Sequence, residues 1–79
     1  MKELERINKR LEELKCNLKI IIDRVYSYDN DCYKYDAWIE YFSSRMQKWS
    51  VLHVLGKFSN ERYAIDSAKD YLHINHYKF

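Results

Sequence analysis

LKIIIDRVYSYDNDCYKYDAWIEYF, residues 18–42, holds both an apolar stripe and three consecutive turn-forming residues, and how the two combine sets the architecture. Leu18, Ile21, Val25, Tyr28, Cys32, Tyr35, Ile39 and Phe42 recur at alternating spacings of three and four, the a and d positions of a heptad. The same phase extends back through Leu4, Ile7, Leu11 and Leu14 and forward through Met46 and Trp49, failing only at His53 and Gly56. A stripe of that period predicts helix, and the fold class it points to is all-α with coiled-coil-like heptad packing.

Two arrangements cover such a stripe. The favoured one is a helical hairpin, broken at Asp29, Asn30 and Asp31, whose side chains compete with the backbone hydrogen bonds of a helix. Folding back there stacks Tyr28 on Cys32, Val25 near Tyr35, Ile21 near Ile39 and Leu18 near Phe42, with helix A over about 2–28 and helix B over about 32–55. The alternative is one continuous helix of about 50 residues that forms a coiled-coil dimer.

Downstream, Gly56 suits the left-handed residue that ends a helix, and Ser59 suits the N-cap of the next. Tyr63, Ala64, Ile65, Ala68, Tyr71 and Leu72 then predict a third, shorter helix C over about 60–73, leaving residues 74–79 as a tail. The chain is expected to be a single helical domain, since 79 residues support one core and no linker is visible.

Composition narrows the function classes. Fourteen basic and 12 acidic side chains leave a net charge of +2, which names no strongly charged partner. No apolar run approaches the roughly 18–20 residues that cross a bilayer, and the charged Lys2, Glu3, Glu5 and Arg6 exclude a secretory leader, so a cytoplasmic setting without membrane contact is expected. Cys16 and Cys32 form no C-x-x-C pair and read as reduced thiols.

Chemistry-bearing patterns are weak. Asp70, His73 and His76 repeat every three residues but lack the further ligands that a zinc site needs, so no metal and no cofactor is expected. A chain with one glycine cannot build a phosphate cradle, and neither cysteine sits in an activating environment, so no catalytic residue is assigned. A helix-turn-helix about Gly56 matches poorly, because Lys57 and Arg62 fall where that motif wants apolar residues and Glu61 and Asp66 would burden a recognition helix.

What stands out is aromatic crowding between residues 26 and 49. Tyrosine and tryptophan combine an apolar body with a polar tip and are enriched at binding hot spots. Those outside the heptad seam, Tyr26, Tyr33, Trp38 and Tyr41, with the flanking acids Asp36 and Glu40, are therefore the expected partner-binding residues. The function that follows is a non-enzymatic helical protein–protein interaction module, an adaptor or inhibitor that also self-associates as a homo-oligomer. Its tyrosine-, lysine- and asparagine-rich makeup fits an AT-rich phage or mobile element product acting on a host enzyme or defence system. Two alternatives stay open: a nucleic-acid-binding regulator using Arg45, Lys48, Lys57 and Arg62, which the carboxylates disfavour, and a structural oligomer or assembly component.

Overall fold

Residues 18–58 are rich in isoleucine, valine, tyrosine, tryptophan and phenylalanine. Such side chains lose rotamer freedom against the preceding turn of a helix but pack well on a pleated surface. In the computed structural model, which describes residues 2–77, that preference wins. Among the described residues the order is α1 (Lys2–Glu13), β1 (Leu18–Ser27), β2 (Cys32–Ser43), β3 (Lys48–Phe58) and α2 (Glu61–Ile74). The three strands form one antiparallel sheet in the order β1-β2-β3.

The all-α expectation is thus overturned, and with it heptad packing in both its forms, helical hairpin and continuous coiled coil. Only the first part of helix A survives, as α1, and helix B is replaced by β2 and most of β3. Helix C corresponds to α2. Its N-cap is Asn60 rather than Ser59, with the Asn60 side chain accepting from the Tyr63 N–H at 2.9 Å. Of the expected tail, Tyr77 returns its N–H to the Leu72 carbonyl at 2.9 Å, while positions 78 and 79 lie outside the described residues.

The reversal at Tyr28–Asp31 joins two strands, not two helices. Asp31 takes a left-handed φ of 49°, which a short polar side chain tolerates. Pairing runs from Ser27 opposite Cys32 to Leu18 opposite Tyr41. Between β2 and β3 the register slips twice, at Ala37/Trp38 and at Ile39/Glu40, so β3 carries two bulges. Gly56 adjoins the first of them, at a φ of 124° that only glycine adopts without strain, and does not end a helix.

Both helices cover the same face of the sheet. Ile7 and Leu11 of α1 and Ile65, Ala68 and Leu72 of α2 close on Leu18 and Ile20 of β1 and Ile39 of β2, forming one buried cluster. Where α1 meets the edge strand, the Asn8 amide donates to the Ile20 carbonyl at 3.0 Å and accepts from the Ile20 N–H at 2.8 Å. The side chain thereby substitutes for one rung of a further strand. The two helices are tied through Glu3, which accepts from Lys69 Nζ at 2.9 Å and also from the Arg62 guanidinium.

Candidate functional site: the uncovered face of the sheet

Successive side chains of a strand point to opposite faces, so burying one set commits the other to the far side. Ile20 and Ile39 pair with each other beneath the helices. Alternation therefore places Lys19, Ile21, Asp23 and Val25 of β1, and Lys34, Asp36, Trp38, Glu40 and Phe42 of β2, on the opposite face. On β3 their neighbours are Trp49 beside Phe42, Val51 beside Glu40, Val54 beside Trp38 and Lys57 beside Asp36.

Side-chain contacts agree with this assignment. Trp38 Nε1 donates to Glu40 at 2.8 Å, and Lys19 Nζ lies 3.8 Å from the same carboxylate and 4.2 Å from the centre of the Trp49 ring. Phe42 and Trp49 pack with ring centroids 5.5 Å apart. The middle rung, Ile21–Trp38–Val54, is apolar across all three strands. Val54 and Val51 keep 67% and 54% of their surface in solvent, far above what a covered strand retains.

Charge on this face is balanced. Among the described residues, Lys19, Lys34 and Lys57 oppose Asp23, Asp36 and Glu40. The face runs around the β1 edge into an open groove of about 800 Å³, where Trp49, Lys19 and Leu18 meet Asn8, Lys9 and Glu12 of α1.

The six residues expected to bind a partner do not form one site. Trp38, Asp36 and Glu40 stand together on the uncovered face of β2. Tyr41 pairs with Leu18, on the helix side. Tyr26 and Tyr33 pair with each other, also on the helix side, near the β1–β2 turn, with ring centroids 5.2 Å apart. There Arg24 lies 4.3 Å from the Tyr33 ring centre, and Tyr28 packs edge-on against Tyr26 while staying 88% exposed. The Tyr26 hydroxyl donates to Asp31, a bond that holds its pKa above the ordinary tyrosine value.

Sequence reasoning missed Ile21, Phe42 and Trp49, which the heptad assigned to a buried seam, and Val51 and Val54, which fall within the expected helix B outside that seam. The signal that finds them is period two: Lys19, Ile21, Asp23 and Val25 on one side of β1, Leu18, Ile20 and Ile22 on the other.

Asp70 and His73 lie on α2, and His53 stacks on Tyr71 at 4.3 Å between ring centroids. Among the described residues no group of three or more histidine, cysteine, aspartate or glutamate side chains converges to hold a metal. No described helix is long and apolar enough to cross a membrane. Comparison with known protein families, with curated proteins and with solved structures finds no match.

Proposed function

We propose that this protein is a non-enzymatic protein–protein interaction module whose docking surface is the uncovered face of the sheet. The observation that carries the reading is the asymmetry of that sheet: the core lies under two helices on one face, while the other leaves Val25, Trp49, Val51 and Val54 exposed and Ile21, Trp38 and Phe42 half-buried, with neither helix over them. Apolar area rimmed by polar groups is the usual mark of a protein-binding surface. Trp38 is the natural anchor, central on the middle strand, its indole N–H already bonded to Glu40.

Nucleic acid is the weaker reading, because three carboxylates share the face with its three lysines and cancel the field a phosphate backbone would follow. The basic residues once grouped for that role are scattered. Arg45 is in the β2–β3 turn, Lys48 and Lys57 are at opposite ends of β3, and Arg62 is engaged by Glu3 and Asp66 on the helix side.

The test compares partner capture by the wild type, Trp38→Ala, Val54→Asp and, as a control on exposed helix surface, Tyr63→Ala. The two face variants are expected to lose about 2 kcal/mol or more of binding and to keep their circular dichroism spectra, while the control binds normally. Equal capture by all four would refute the assignment.

A further inference from the structure

We infer that the occupant of the uncovered face is a second copy of this chain, packed sheet on sheet about a two-fold axis that runs within about 15° of β2; this rests on reading that face as a protein-docking surface. The strand register supplies the argument. Such an axis exchanges the edges of the sheet, so β1 of one copy lies over β3 of the other.

On the rung Asp23–Asp36–Lys57, opposite charges stand at the two edges. The two-fold brings Asp23 of each copy across from Lys57 of the other, twice over, and sets the two Lys57 ammonium groups beside the central Asp36 pair. On the next apolar rung, Ile21 meets the second copy's Val54, and Trp38 meets its own counterpart. One rung further, the stem of Lys19 covers the second copy's Val51 while its ammonium stays with Glu40. Aligned sheets cross at about 30°, an offset that moves groups this close to the axis by less than a lysine side chain spans. A face that is neutral as a whole and carries opposite signs at the two ends of its Asp23–Lys57 rung is complementary to itself there, and a strongly charged partner gains nothing from it.

Area sets the strength. Three strands of about ten residues, at roughly 3.4 Å per residue and 4.8 Å between strands, present a footprint of about 500 Å². Two copies then bury about 1,000 Å², the lower bound for a specific interface and short of the roughly 1,600 Å² of a typical tight one. A micromolar dimer is expected, open to displacement by a tighter partner.

Solution mass measured from low-micromolar to near-millimolar protein tests this, with Asp23→Lys, Lys57→Asp and the double variant alongside. Both positions are exposed, so the variants keep the fold. The wild type should pass from monomer to dimer, each single swap should weaken association roughly tenfold or more, and the double swap should restore it to within a few-fold. A wild type that stays monomeric throughout, or a double swap no better than the singles, overturns the inference. If the chain is monomeric yet Trp38→Ala and Val54→Asp lose capture of a different protein, the inference falls and the docking reading stands. If it is monomeric and those variants lose nothing, both fall together.

Discussion

Both faces of the sheet carry large apolar side chains, yet they do different things. On the helix side Leu18, Ile20, Ala37 and Ile39 are buried, and their neighbours come from the same chain. On the far side Ile21, Val25, Trp38, Phe42, Trp49, Val51 and Val54 are as apolar, but the chain supplies no cover. Burial is what separates a stabilising residue from a recognising one, and composition alone does not report it.

The largest effect that bears on this contrast comes from placing one charge on either face. Ile39→Asp puts a carboxylate in a site with 0% exposure and should unfold the protein, at a cost of several kcal/mol. Val51→Asp, one strand over on the uncovered face, should shift stability by only about 0.5 kcal/mol or less. Chemical denaturation of the two variants checks the pair, and equal losses would mean that the faces are not the distinct surfaces described.

A smaller effect is expected where helix and sheet edge meet. Asn8→Ala removes both bonds to the Ile20 backbone and should cost about 1–3 kcal/mol. Hydrogen exchange at the Ile20 amide should quicken more than that of amides in β2. Unchanged exchange there would show that Asn8 does not hold this edge.

The smallest effect is electrostatic. The hydrogen bond from Lys69 and the charge of Arg62 hold the Glu3 carboxyl below its ordinary value. The folded state therefore takes up that proton less readily than the unfolded one. The stabilisation is full above the ordinary glutamate range and is lost as pH falls through it to the lowered folded value. Because these groups are solvent-screened the loss is slight, and Glu3→Gln should flatten that part of the melting-temperature profile. A Glu3→Gln profile superimposable on the wild type would remove the helix tie from the account of stability.

How far the amino-acid sequence could be read follows from the same two faces. Leu4, Ile7 and Leu11 gave α1 its period, and Ala64, Ile65, Ala68 and Leu72 gave α2 its own, because each helix buries one side only. Residues 18–42 misled because the uncovered side of β1 and β2 sets Ile21, Val25, Trp38 and Phe42 among its charged residues, so both sides contribute large apolar side chains to the stripe. Strands that are polar on one side show clean alternation; here Ile20, Ile21 and Ile22 run together, and a three-four spacing can be threaded through residues of either face. The supposed seam takes Leu18, Tyr35 and Ile39 from the helix side and Ile21, Val25 and Phe42 from the other. Triple isoleucine and the density of tyrosine were the better guide, since they favour strand over helix. Asp36, Trp38 and Glu40 share a face because a spacing of two does so on a strand, a relation that the heptad reading does not contain. Tyr26, Tyr33 and Tyr41 were drawn in by aromatic character alone, which carries no information about side.

The meander has a consequence for the order in which the molecule assembles. Each hairpin joins strands adjacent in the chain through a turn of four residues, at Tyr28–Asp31 and at Ser44–Gln47, so the sheet can zip outward from its turns with little loop entropy to overcome. The bond between Glu3 and Lys69 spans 66 positions and waits until both ends of the chain have docked. Interactions that form after the transition state act on the rate of falling apart rather than on the rate of coming together. Weakening the Glu3–Lys69 tie should therefore shorten the lifetime of the native state and leave the speed of its formation nearly untouched.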